Sequence, residues 1–320
     1  MVALVSVIVP VHNGALHLEQ TLAAVLAQTH PQVEIVVVDD GSTDRSLEVV
    51  AQVAPGAVVA HNAQASGVSR ARNQGFAMAH APFVCFLDQD DIWHPRHLAR
   101  QLAAFERMPE AGAVVVPYHH WSPVPGANAV PETLWPAEAD DRFDPAFSGW
   151  VYHQFMLDCW ALTSATMIRR EALDEVGAFD PDRPYGEDWE LWLRLSRRWQ
   201  FARLGDPAVL YRQHPTQGSR QARETDHRTE LLLAHAEAFG LASADGRAIT
   251  RPDFEAMIAS YQVRFGLHHL RHGSVALGRR TLWSAWRRDP VQLRHLALAA
   301  AATAGWRPRA AAECPPAAST

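Results

Sequence analysis

Two largely apolar runs, at 5–11 and 33–38, constrain this chain most. They are too short to cross a membrane and too continuous for a surface strand, so they read as strands buried on both faces. Between them Leu18, Leu22, Val25 and Leu26 recur at helical spacing. The alternation continues. The second strand ends at Asp39-Asp40, Gly41-Ser42 makes the turn, and a helix follows with Leu47 and Val50 inward. Residues 57–60 form a short third strand, 68–79 a helix, and 83–87 a strand ending at Asp88. Pro95 opens a helix with Leu98, Leu102 and Phe105 on its inner face, and 113–116 is the next strand. The order predicts an α/β fold: a doubly wound, mostly parallel sheet flanked by helices. Such sheets bind ligands beyond the carboxyl ends of their strands, where both acidic clusters fall.

The second half is less regular. Residues 117–149 are rich in Pro, Trp and Asp and read as a long excursion whose Trp121 and Trp135, with Trp150 just beyond, suggest a binding wall. Regular structure resumes at 160–169, with a helix at 171–176 and another at 187–198 that puts Trp189, Trp192 and Leu193 on one face. A late strand covers 208–211, and helical patterns follow at 225–239, 252–272 and 274–287. The predicted organisation is one α/β domain over 1–218, with a first half to about 116 and a second half after it. A helical C-terminal extension spans 219–307, and an Ala/Pro-rich tail over 308–320 is expected to be disordered.

Charge and cysteine usage narrow the options. A net charge of -6 argues against a general nucleic-acid partner. The three cysteines form no CxxC pair, which fits a reducing compartment without a zinc site. The apolar start lacks a basic n-region and a cleavage site, and no stretch is long enough to span a bilayer. A cytoplasmic protein is expected, at most peripheral at the inner face of the membrane. All 29 basic residues are arginine. Nine of them follow Tyr261, against only Asp289 and Glu313. A solvated helical face is the plain explanation, and a surface drawn to anionic lipid is the alternative.

Three elements carry chemistry. Asp88-Gln89-Asp90-Asp91 sets three carboxylates in four residues at a strand end. Such like charges repel unless a cation compensates, and Mg2+ or Mn2+ commonly bridges one or two carboxylates to substrate phosphates. Capping of the helix at Pro95 accounts for one of the aspartates but not all three. Asp39-Asp40 can accept a base N–H or a ribose hydroxyl, while Ser42 and Asp44 suit helix capping. Gly67 leading into Ser69, Arg70, Arg72 and Asn73 suits an anion at a helix start, or ordinary capping with solvated arginines.

Taken in order, residues 5–13, 38–44, 67–73 and 86–91 resemble the family 2 glycosyltransferases of GT-A fold, over about residues 4–215. The resemblance implies an inverting, non-processive transfer of a sugar from a nucleotide-diphosphate sugar, with a UDP-sugar as donor. The acceptor would be a hydroxyl of a glycan or lipid-linked saccharide, as in polysaccharide or cell-envelope biosynthesis. It assigns the Asp-x-Asp metal, Mn2+ or Mg2+, to Asp88 and Asp90, with Asp91 in support and His214 as a further contact to metal or phosphate. It assigns the nucleoside to Asp40 with Asp39, and the base pocket to Pro10, His12 and Asn13. Arg70, Arg72, Asn73 and Gln89 would hold the rest of the donor. Residues 177–180 and 186–195 resemble the family's acceptor region and imply Asp188 as general base with Glu187 as its partner. Trp189 and Trp121 would stack on acceptor sugars. Processive synthases of this fold carry a Gln-x-x-Arg-Trp element; here Leu195 stands where its glutamine belongs, before Arg198-Trp199. A nucleotidyltransferase and a non-catalytic nucleotide-sugar-binding module are the competing readings. The first is disfavoured by the absence of a Lys-bearing phosphate loop, the second by the presence of every carboxylate.

Overall fold

The computed structural model describes residues 2–123, 130–136, 139–214, 217 and 223–308. The chain divides into two compact units: Met1–Pro215 with the short hairpin Ala242–Ala248, and Thr216–Leu241 with Ile249–Thr320. The expected boundary at 218–219 and the tail beyond Pro308 lie outside the described residues.

In the first unit the apolar runs become β1 (Val5–Val11) and β2 (Val33–Asp40), followed by β3 (Val58–Asn62) and β4 (Phe83–Phe86). All of β1 is buried, as a strand apolar on both faces must be. Val7, Val9 and Val11 pack on Leu18, Leu22 and Val25 of α1 (Leu18–Leu26) in one core cluster. On the other face α3 (Val68–Met78) crosses β1 and β2 at Gly75, where an added Cβ would lie 2.4 Å from Ile8 Cγ2. The remaining elements of this unit are α2 (Ser46–Val53), β5 (Ile92–Trp93), α4 (His97–Arg107), β6 (Ala111–Val115), β7 (Tyr118–Trp121), α5 (Tyr152–Phe155), β8 (Thr166–Arg169), α6 (Arg170–Val176), α7 (Glu187–Ser196), β9 (Gln200–Arg203) and β10 (Val209–Arg212). Pro95 precedes α4 instead of opening it, and Trp160 lies in the irregular segment ahead of β8.

Among the described residues, one sheet has the order β3-β2-β1-β4-β8-β6-β9. Its neighbours are parallel except at β8, which runs antiparallel to both β4 and β6. A second sheet, β5-β10-β7, was not foreseen from the sequence. Its β10 is the late strand expected at 208–211, while β5 and β7 are too short to register as periodic patterns. It matters for function because β10 pairs with β5, which draws residues 209–214 alongside the acidic cluster.

The second unit is helical: α8 (His227–Phe239), α9 (Arg251–His272), α10 (Val275–Arg288) and α11 (Leu293–Thr303). Side-chain caps from Asp226, Thr250 and Ser274 start the first three, each accepting from a backbone N–H three residues on. Gly266 and Gly278 let α9 and α10 approach closely, since a Cβ on Gly266 would meet the Gly278 carbonyl at 3.1 Å. The last helix was missed in the sequence, where its alanine-rich pattern carries little amphipathic signal.

Candidate active site

Both acidic clusters do end strands of the main sheet, and they have different surroundings. Asp40 is buried and its carboxylate is fully engaged. It accepts from the backbone N–H groups of Ser66 and Gly67, the Ser66 hydroxyl and the Asn62 amide. Burial alone would raise this carboxyl, but those bonds outweigh it and hold the group below the usual carboxylate range. Its oxygens organise the loop that enters α3. Asp39 is the reverse case. One oxygen accepts from His61 Nδ1 at 2.7 Å, while Oδ1 is buried without a hydrogen-bond partner among the described residues. An open buried acceptor at a strand end is what a base N–H needs.

The loop after β1 is laced to its neighbours. His12 Nδ1 lies 2.8 Å from the Asp40 carbonyl, and Asn13 accepts from the Thr43 N–H through its side-chain oxygen. Asn13 sits at φ 52°, a left-handed conformation asparagine tolerates better than most residues. Gln89 accepts from the His12 N–H and donates to the His12 carbonyl, so its amide is spent on this loop and not turned toward a ligand. Pro10 is buried within β1 opposite Val38, behind the loop.

The cluster after β4 is joined to residues far away in sequence. Arg72, on α3, is buried and donates to Asp88 at 2.6 Å and to Glu187 at 3.0 Å. It also lies 5.0 Å from the centre of the Phe179 ring. Burial works against its charge, but Asp88 and Glu187 overcome that and keep it protonated. Asn73 exchanges two hydrogen bonds with the Phe179 backbone. Arg72 and Asn73 thereby tie α3 to the segment leading into α7. Arg70 is half exposed and pairs with Asp182 at 2.7 Å.

Asp188 stands in the first turn of α7 and accepts from the Trp189 N–H at 2.7 Å. Burial and then the neighbouring Glu187 push its carboxyl up to about 6, against the Trp189 bond and the Arg72 charge. A carboxylate of that pKa is half-way to a base poised for neutral pH.

Asp90 and Asp91 face the β10 end. His214 Nε2 lies 2.8 Å from Asp90 Oδ2. Asp91 is fully buried and accepts from the Arg212 N–H, so it caps no helix. Burial first, then Asp88, raises the Asp90 carboxyl, with His214 acting in opposition. Asp91 is raised well above the usual range by burial, Asp90 and Asp88. Arg212 braces this group: its Nε donates to the Asp90 carbonyl and its Nη2 to Gln20, and it stacks 4.5 Å over Trp121. His17 lies 5.0 Å from His214, and burial, Arg212 and His214 lower it to about 4, so it is neutral. His17 and Gln20 were not singled out in the sequence, and Arg212 was read there only as part of the 211–214 element that ends at His214. The one available signal was the position of Arg212 two residues before His214.

Two aromatic expectations fail. Trp189 is 3% exposed and its indole donates to the Phe155 carbonyl. Trp121 is 7% exposed beneath Arg212. Neither presents a ring face to a sugar; both are core of their sheet or helix.

No group of three His, Cys, Asp or Glu side chains stands at metal-binding spacing among the described residues. Asp90 and His214 already converge, and Asp88 is one residue removed and turned to Arg72. That donor set fits a hard cation which a phosphate ligand helps to hold, and not one caged by protein alone.

Residues 6–157 match the family model described as Glycosyl transferase family 2. An uncharacterised glycosyltransferase of Nostoc sp. is 33% identical over 194 residues, 59% of this chain and 56% of that protein. The putative teichuronic acid biosynthesis glycosyltransferase TuaG of Bacillus subtilis is 38% identical over 102 residues, 31% of this chain and 40% of TuaG. The chain thus spans 56% and 40% of the length of these two curated relatives. Among solved structures, S. aureus TarS in complex with UDP-GlcNAc superposes with a TM-score of 0.62 at 19% identity, covering 94% of this chain and 87% of the TarS chain. The mannosyltransferase PcManGT from Pyrobaculum calidifontis, in complex with GDP-Man and Mn2+, gives 0.53 at 20% identity, covering 95% and 80%. At such identities these two speak for the fold, a mostly parallel α/β sheet of GT-A type with C-terminal helices.

Proposed function

We propose that this chain, whose residues 6–157 match the glycosyl transferase family 2 model, is a member of that family and transfers a sugar from a nucleotide-diphosphate sugar to an acceptor hydroxyl, one unit at a time and with inversion. One observation carries the reading. Arg72 links Asp88 at the end of β4 to Glu187 beside Asp188, so a donor-side carboxylate and a carboxylate of raised pKa share one buried staple. Asp188 takes the proton of the acceptor hydroxyl. The acceptor oxygen forms its bond to the anomeric carbon as the bond from that carbon to the diphosphate breaks, and the nucleoside diphosphate leaves. Asp39 Oδ1 is the acceptor for a base N–H, with His12 and Asn13 at the rim. Asp90 and His214 would hold Mn2+ or Mg2+, which when bound offsets charge on the departing diphosphate.

UDP-sugars are the donors to try first. The TarS structure holds UDP-GlcNAc, but PcManGT holds GDP-Man, so a panel must include both bases. We take the acceptor to be a glycan or lipid-linked saccharide; the latter would bring the chain to a membrane surface, with the arginine-rich C-terminal helices as the contact. The test is release of nucleoside diphosphate from a nucleotide-sugar panel with and without Mn2+. Product from wild type that disappears in Asp188→Asn and Asp90→Asn supports the proposal. Pyrophosphate release, or binding without turnover across the panel with candidate acceptors, refutes it.

A further inference from the structure

The second unit carries a surface that sugar transfer does not use. The buried side of α11 is Ala299 and Ala302, packed with Leu270, Leu282 and Ala285 of the neighbouring helices. Arg279 donates to the Ala302 carbonyl and Trp283 to the Thr303 hydroxyl, which fixes how α11 lies on α10. The opposite side faces out. Leu293, Ala297, Ala300 and Ala304 are exposed and follow one another at spacings of three or four, a single helical stripe. It bears no polar group. Large apolar side chains mark both of its ends: Val291 is 87% exposed, Leu293 72% and Trp306 44%. These three are among the few exposed large hydrophobics described anywhere in the chain. A water-facing helix ordinarily carries charge on that side.

The rim supplies a sign. Arg287, Arg294 and Arg307 are exposed and lie within four residues of Val291, Leu293 or Trp306 in sequence, and none has an ion-pair partner among the described residues. Arg279 and Arg288 are not counted with them, because the first is bound to Ala302 and the second pairs with Glu255. From 273 to 308 the only acidic residue is Asp289. An apolar stripe with a tryptophan at its end and a predominantly cationic flanking sequence is complementary to a bilayer interface with anionic head groups. No helix of the described residues is long and apolar enough to cross a membrane, so contact would be from the side.

We infer that the outward face of α11, with Val291 and Trp306, docks on an anionic lipid surface. The arginines supply the attraction and Leu293, Val291 and Trp306 enter the interface. The purpose of such docking rests on the proposed lipid-linked acceptor, but the binding itself does not.

Flotation of the full chain with vesicles tests it, comparing phosphatidylcholine alone with phosphatidylcholine containing about one-third phosphatidylglycerol. Wild type should float only with the anionic vesicles and detach in high salt. Removing one arginine near such a surface should weaken partition about fivefold. Arg287→Gln/Arg294→Gln/Arg307→Gln should therefore lose about 100-fold. Leu293→Ser/Trp306→Ser should lose at least about tenfold, by lost apolar burial. Both variants alter exposed side chains, so unchanged thermal unfolding shows they are folded. Equal flotation with the two vesicle types, wild-type flotation by either variant, or a dimer in solution that Leu293→Ser dissociates would overturn the inference. Nucleoside diphosphate release without vesicles separates the two readings: activity without flotation removes the docking alone, and flotation without activity removes the transfer reaction alone.

Discussion

Replacing Asp188 by asparagine should make the protein more stable and nearly inactive at once. The carboxyl is raised from 3.8 to about 6, with burial as the first cause and Glu187 as the second. In the folded chain the group prefers its proton. Stability it contributes is complete below the unfolded pKa near 4 and is lost as pH rises through about 6. At pH 7.5 the ionised form therefore costs up to about 3 kcal/mol, at 1.36 kcal/mol for each pKa unit. Solvent screening at a partly exposed carboxylate brings this to roughly 1–2 kcal/mol. Asparagine keeps the oxygen that accepts from Trp189 and drops the charge. Asp188→Asn should unfold about 2–6 °C higher than wild type at pH 7.5, and at an equal temperature near pH 4. Turnover should fall about 10²–10⁴-fold, the range for a lost general base. The wild-type rate should itself decline below about pH 6 as Asp188 is protonated. Calorimetry of both proteins from pH 4.5 to 8, beside nucleoside diphosphate release, supplies both halves. A variant less stable than wild type at pH 7.5, or one within tenfold of its turnover, would refute the reasoning.

Arg72→Met removes one partner from two buried ion pairs and should cost about 3–5 kcal/mol in chemical denaturation. Arg72→Lys should recover part of that stability but not the two-pronged reach to Asp88 and Glu187, so its pH–rate midpoint should move above the wild-type value. A midpoint unchanged in Arg72→Lys would mean Arg72 does not act on Asp188. Gly75→Ala places a Cβ 2.4 Å from Ile8 Cγ2 and should destabilise by about 1–3 kcal/mol, read as a lower urea midpoint with an unchanged slope.

What the sequence made legible follows from how local each feature is. The buried strands, the turn glycines and the strand-end aspartates are written in consecutive residues, and the sheet formed from them as expected. The roles of individual polar side chains are set by partners far along the chain. Asp39 and Asp40 are adjacent and alike in sequence, yet strand alternation aims them to opposite faces, one at His61 and the other at the Ser66-Gly67 backbone. Nothing local to Arg72 shows that Glu187 lies 115 residues away and within 3.0 Å. Trp189 looked like a sugar platform because helical periodicity says which face it shares, not whether that face is core. The bracing of Asp90 and Asp91 by Arg212 depends on the pairing of β5 with β10, and the two residues of β5 leave no periodic trace.

The charge balance of the site leads to one more consequence. Among the described residues, Asp88, Asp90, Asp91, Glu187 and Asp188 stand with Arg72 and Arg212 as their permanent cations, and three of the five are raised in pKa. Repulsion among them contributes to each of those shifts. A diphosphate entering this mouth adds negative charge to a place already short of positive charge. Nucleotide affinity should then be weak without a divalent ion and rise at least about tenfold with Mn2+; by linkage the nucleotide should tighten Mn2+ to the same degree. Asp90→Asn separates this from mere misfolding because its two effects have opposite signs. It removes a repelling charge, so metal-free nucleotide should bind more tightly than to wild type. It also removes the carboxylate paired with His214, so the Mn2+ enhancement should vanish. Titration calorimetry with a nucleoside diphosphate in chelator and in Mn2+ reads both. An Asp90→Asn protein that keeps the full Mn2+ enhancement would take the cation away from Asp90, and one that weakens metal-free binding would show that repulsion is not what limits the site.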